Sequence, residues 1–225
     1  MTISVTNLGN SGGAYSSSAT RSSLTQAFTR TGDEDYVIVV VSSSSNPDFA
    51  NATIGGVSMT RLGVIEPYGR LQVFGIDCRT VTVPTSGNIV VTASSGSGNR
   101  SMMAWFGITG IIATGFVPQT ITAGNLASGI SPTVVGSALI VAGSYRETTS
   151  STLLTTTPTG ATLVFQLSGR SNAIGNQGVI GVCIRNAPTG AISWGDTQAY
   201  QVIGLRGPVV ARQIWPRGGN VYTQP

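Results

Sequence analysis

The chain has 225 residues, with 12 basic and 8 acidic side chains, no histidine and a formal net charge of +4. Only 9% of residues are charged, against about a quarter in ordinary soluble domains. All twelve basic residues are Arg. The missing residue types exclude Ser-His-Asp triads, Cys-His pairs, histidine metal sites, Schiff-base lysines, P-loop lysines and Ser-Lys dyads.

In chain order, MTISVTNLG has neither a basic n-region nor an apolar core, so no signal peptide is expected. Residues 19–28 place Leu24 and Phe28 four apart, but the Ser and Thr around them favour a strand or loop over a helix. Residues 36–42 (YVIVVVS) read as a strand buried on both faces, and the run is far too short to span a bilayer as a helix. Residues 52–65 carry Gly55-Gly56 between β-prone pieces, which predicts a tight hairpin. Strands follow at 70–78, at 79–83 up to Pro84, and at 88–92. In 102–108, alternation places Met102, Ala104, Phe106 and Ile108 on one face and Met103 and Trp105 on the other. Residues 94–100 read as a loop.

The second half repeats this order. Residues 137–145 resemble 36–44, 161–167 resemble 52–62, and 178–185 resemble 70–79. Two related four-stranded halves are how a double Greek-key jelly roll is assembled. The predicted fold class is therefore all-β: a jelly-roll-like antiparallel β-sandwich with an extended C-terminal arm. Its single domain spans 1–196, with halves at about 1–112 and 113–196. Residues 197–225, with Pro208, Pro216 and Gly218-Gly219, read as the arm.

The Arg residues are scattered from Arg21 to Arg217, which argues against a nucleic-acid partner. Cys78 and Cys183 lie in apolar runs and read as free buried thiols, with a single disulfide left open. No catalytic residue, metal site or cofactor is expected. Of the carboxylates, Asp33-Glu34-Asp35 reads as a solvated turn, Asp48 and Glu66 sit beside Pro, and Asp77 stands inside a strand next to Arg79. A calcium site at Asp33 and Asp35 has no motif spacing behind it. Trp105 reads as core. Tyr68, Trp194 and Tyr200 could form a glycan platform, with Trp194 exposed after the turn at 188–190.

The succession ATIGGVSMTRLG, GRLQVFGI, VPTSGNIVVTASSG and MMAWFGITGI resembles phage and prophage jelly-roll proteins over roughly 32–195. That resemblance implies a non-enzymatic virion role: capsid decoration or cement protein, head fibre or tail component. The implied partners are other virion proteins (a major capsid protein or tail proteins) and further copies of the chain. The implied location is the virion, after synthesis in a bacterial cytoplasm, with no membrane partner. Arg206, Arg212, Trp215, Arg217 and Tyr222 are the expected interface residues of the arm. A lectin-like surface-binding module and a carboxylate-dependent glycan hydrolase are the rival expectations.

Overall fold

The computed structural model describes residues 3–11, 23–43, 49–65, 70–93, 101–111, 116–118, 137–146, 157–170, 177–186, 191–194 and 199–205. Every regular element among them is a strand. The first nine are β1 (Ser4–Asn10), β2 (Ser23–Thr29), β3 (Tyr36–Ser43), β4 (Phe49–Ile54), β5 (Val57–Ser58), β6 (Thr60–Ile65), β7 (Arg70–Asp77), β8 (Ser86–Ala93) and β9 (Ser101–Thr109). Five follow: β10 (Phe116–Pro118), β11 (Ser137–Arg146), β12 (Thr162–Arg170), β13 (Gln177–Arg185) and β14 (Ala199–Leu205).

The strands form three antiparallel sheets. A central sheet has the order β1-β9-β3-β7-β6, a four-stranded sheet β2-β8-β4-β5, and a C-terminal sheet β10-β14-β11-β13-β12. Side chains alternate along a strand, so each face of the central sheet has its own partner. Tyr36, Ile38, Val40, Leu71, Val73, Met102, Ala104, Phe106 and Ile108 share a core with Leu139, Val141, Ile180, Val182, Ile184, Ile203 and Leu205 of the C-terminal sheet. Val37, Val39, Val41, Phe74, Ile76, Met103 and Trp105 share the other core with Leu24, Phe28, Phe49, Ala52, Ile54, Ile89 and Val91 of the four-stranded sheet. The chain is thus an all-β sandwich of three layers, with the central sheet in the middle. Gln72 crosses from the middle layer: its buried Oε1 accepts a hydrogen bond from the Phe49 amide at 2.9 Å.

Local sequence explains the connections. Gly55 and Gly56 both have positive φ, 57° and 83°, and join β4 to β5 in the tight hairpin that the Gly-Gly pair predicts. The alternation expected at 102–108 holds, with Met103 and Trp105 facing the four-stranded sheet. The strand expected at 79–83 does not form: the chain turns there, because Asp77 captures Arg79 and the amides that follow.

Two details of this organisation differ from the expectation. Residues 4–109 supply both the central and the four-stranded sheet, so the two halves do not each contribute four strands to one sandwich. The arm does not begin at 197. Residues 199–205 are β14, hydrogen-bonded between β10 and β11, and Ile203 and Leu205 are fully buried. The Pro- and Gly-rich composition of the tail masked the alternating apolar residues of this strand.

The C-terminal sheet reproduces the winding of the central one. Numbering each sheet's own strands in chain order, both run first, fifth, second, fourth, third. The two sheets pack back to back in reversed order, with β1 against β12, β3 against β11 and β6 against β14. An antiparallel bridge, Thr159 to Ser193, joins the connections β11–β12 and β13–β14. Those positions correspond to β4 and β8, which pair in the connections β3–β6 and β7–β9.

Phe106 stands at the middle of the larger core and meets Phe165 edge-on, ring centroids 5.5 Å apart. Phe106→Ala is expected to cost about 3–5 kcal/mol of unfolding free energy in urea titration.

Candidate functional site

Among the described residues, the carboxylates and the arginines paired with them gather at one end of the central sheet. The turn from β2 into β3 brings Arg30, Glu34 and Asp35 there. The turn after β7 adds Asp77 and Arg79, and the end of β9 adds Gly110 and Ile111.

Arg30 and Glu34 form a buried ion pair, Nη1 to Oε2 at 2.9 Å, with side chains only 6% and 4% exposed. Arg30 also donates from Nη2 to the Val83 carbonyl at 2.6 Å and from Nε to the Pro84 carbonyl at 3.1 Å. Glu34 accepts three more hydrogen bonds, from the Thr31 amide at 3.0 Å, the Thr31 hydroxyl at 2.9 Å and the Gly32 amide at 3.0 Å. Its stem lies against Gly107 of β9, where any Cβ would collide with it. Burial by itself would raise the Glu34 carboxyl. The amides of Glu34 and Thr31, the Thr31 hydroxyl and Arg30 outweigh that and hold it below the usual carboxylate range.

Asp35 Oδ2 accepts from the amides of Gly110 at 2.6 Å and Ile111 at 3.1 Å. Asp77 and Arg79 pair in a two-pronged fork, Nε to Oδ1 at 2.9 Å and Nη2 to Oδ2 at 2.7 Å. Arg79 Nη1 also donates to the Ile111 carbonyl at 3.0 Å. The Arg79 guanidinium is the chief reason that the Asp77 carboxyl lies below its ordinary value. Burial, and then the Asp77 charge, pushes the Tyr36 phenol up to about 12.

This arrangement does structural chemistry. Glu34 and Asp35 accept backbone N–H groups of turns and strand ends, and Asp77 is held in a fork by Arg79. A general acid needs a carboxyl raised toward neutrality, and Glu34 and Asp77 are shifted the other way. The solvated turn expected at Asp33-Glu34-Asp35 is therefore corrected: Asp33 is exposed, but Glu34 is buried and satisfied. Among the described residues no three His, Cys, Asp or Glu side chains cluster as metal ligands.

Trp194 is also corrected. It is 1% exposed, and its ring covers Gly181 of β13, on the face of the C-terminal sheet turned away from the central one. The turn signal before it was read as surface, whereas the missing side chain at Gly181 provides its seat. Tyr200 lies in β14, with only its backbone described, and Tyr68 lies outside the described residues, as do Arg206, Arg212, Trp215, Arg217 and Tyr222. So do Asp48, Glu66, Glu147 and Asp196. Trp105 is 3% exposed in the core, as its strand alternation predicts. Arg185, at the end of β13, is 2% exposed, and burial lowers its pKa; nothing in its sequence context signalled that depth.

Both cysteines are free thiols, which settles the open disulfide. Burial pushes Cys183 up to about 12 and raises Cys78 as well. No protein-family model, curated protein or solved structure matches the chain. Among the described residues no helix is long and apolar enough to cross a membrane.

Three outcomes follow from this geometry. Glu34→Ala strands Arg30 in a buried position and is expected to cost about 3–5 kcal/mol. Because the folded-state carboxyls of Glu34 and Asp77 are depressed, their stabilisation is complete above the unfolded-state pKa and drains away as pH falls through the folded one. Urea midpoints of the wild type should therefore drop below about pH 4, and those of Glu34→Ala should drop less steeply. In native protein at pH 8, a thiol reagent should leave Cys183 unmodified and react slowly with half-buried Cys78; both should react at once in denaturant.

Proposed function

We propose that the chain is a non-enzymatic structural protein of a virion, a capsid decoration or cement protein that stabilises a shell by bridging its subunits. The observation that carries this reading is the winding of residues 4–109. The chain alternates between two sheets: β1 in the central, β2 in the four-stranded, β3 back, β4 and β5 across, β6 and β7 back, β8 across and β9 back. We read the resulting orders, β1-β9-β3-β7-β6 facing β2-β8-β4-β5, as two interleaved Greek keys with β6 added at one edge, a jelly-roll-like winding that supports the proposal. The architecture is shared by viral capsid and lectin domains, so fold alone does not choose a function.

Two further features support the structural reading. The described carboxylates at the sheet end serve turns and an arginine fork rather than an open cleft. The scarcity of charge, 9% of residues, suits a chain whose surface is covered by neighbours. Adhesion is then the mechanism: each copy adds buried area between shell subunits, and an interface of roughly 1,200–2,000 Å² per contact suffices for a stable attachment. The tail carrying Arg206, Arg212, Trp215, Arg217 and Tyr222 would supply contacts with the other virion proteins, with Arg and aromatic side chains as anchors.

The position of β14 sets where the test must cut. A chain ending at Leu205 keeps the C-terminal sheet whole and is expected to match the full chain in melting temperature while losing most of its occupancy on particles. A chain ending at Asp196 lacks β14 and is expected to be unfolded or insoluble. Full occupancy of particles by the chain ending at Leu205 would remove the tail from the mechanism. Absence of the full chain from purified particles would remove the virion reading itself.

A further inference from the structure

Among the described residues the three sheets have six edge strands, and five of them carry a feature that discourages pairing with another chain. Strand β1 has a register shift between Asn7 and Gly9. Strand β6 has one between Arg61 and Gly63, together with the Arg61 charge. Strand β12 has one between Leu163 and Phe165 and ends on Arg170. Strand β10 is three residues long and ends on Pro118, and β5 has two residues.

Strand β2 has none of these features. Its seven residues, SLTQAFT, contain no charge, Gly or Pro. Its register on β8 is unbroken from Ser23–Thr92 to Thr29–Ser86. Among the described residues no strand pairs with its outer side; β1 lies close but shares no ladder with it. Thr25, Ala27 and Thr29 are exposed, while Leu24 and Phe28 point into the core. Alternate N–H and C=O groups of β2 therefore face outward, away from β8.

We infer that β2 is a homodimer edge, which pairs antiparallel with β2 of a second copy across a two-fold axis at Gln26. The strand is self-complementary in that register. Leu24 falls opposite Phe28 of the second copy on the core side, Thr25 opposite Ala27 on the outer side, and Ser23 opposite Thr29. Core-facing residues meet core-facing residues because the register sum is even, so the two four-stranded sheets join into one continuous sheet without inverting a face. Electrostatics permits the approach. The strand is neutral, and the Arg30 guanidinium at its end is already held by Glu34 and two carbonyls. A second copy is the occupant that this symmetry fits, and a different protein's strand becomes an outcome of the test. The inference stands on the edge alone: a dimer that never joins a particle would leave it intact while removing the virion reading.

The test uses sedimentation of the full chain. The wild type is expected to dimerise. Thr25→Lys with Ala27→Lys, both at exposed positions, sets like charges opposite one another across the axis and should weaken the dimer by about tenfold or more. Thr25→Lys with Ala27→Glu sets opposite charges there and should dimerise about as well as the wild type. Circular dichroism of both variants should match the wild type, which separates a broken edge from a broken fold. Three results would each overturn the inference: a wild type that stays monomeric at high concentration, a double-lysine variant that dimerises normally, or an opposite-charge variant as weak as the double lysine. A monomeric wild type that a foreign strand captures at β2 would assign the edge to a different partner.

Discussion

The whole molecule depends on burying one sheet from both sides. Strands β3, β7 and β9 form the middle of the central sheet, and from Val37 to Val41 no side chain reaches solvent. A strand in that position cannot alternate apolar and polar residues, because it has no wet face. Any polar group admitted must find its partner inside, as Gln72 does with the Phe49 amide. Three layers thus demand more apolar positions than two layers would. The chain meets that demand at an overall hydrophobic content of only 40%, by concentrating those residues in a few strands.

The same constraint explains where the charges went. Ionised side chains are absent from the buried stretches of β3, β7 and β9, and the described carboxylates collect where these strands end. There Glu34 and Asp35 accept the amides that turns and strand ends leave unpaired, and Arg30 accounts for two carbonyls. A buried ion pair adds little net stability over a well-packed apolar substitute, but losing one partner is costly. The belt therefore specifies how the β2–β3 turn docks on β9 more than it strengthens the fold. It also leaves Glu34 a poor proton donor near neutrality, since its hydrogen-bonded carboxyl is held below the usual range.

Layering and edges are two sides of one problem. The repeated winding of the central and C-terminal sheets lets them pack back to back, and this covers the face that a lone sheet would expose. Packing faces does nothing for the edges, which need bulges, short strands, Arg or Pro. Those features are unevenly distributed, and the uneven distribution sets β2 apart from the other edges.

Much of the architecture could be read from residue order. The Val run at 37–41, the Gly55-Gly56 turn and the alternation at 102–108 are local patterns, and each led to the element that the chain forms. The tail strand β14 escaped because its apolar alternation is short and lies among Pro and Gly. The turn at 78–81 was mistaken for a strand because the clean alternation of RTVTV outweighed the ion pair open to Asp77 and its neighbour Arg79. Trp194 and Glu34 were placed at the surface because burial depends on what arrives from elsewhere in the chain: an empty position at Gly181, or Gly107 and the Val83 carbonyl. Sequence by itself determined strand class, hairpin position and which side chains share a face, since these follow from a two-residue period and backbone sterics. Only the tertiary structure decided that there are three layers, that the carboxylates staple turns, and which edge is left open, because each requires groups far apart in the chain to meet.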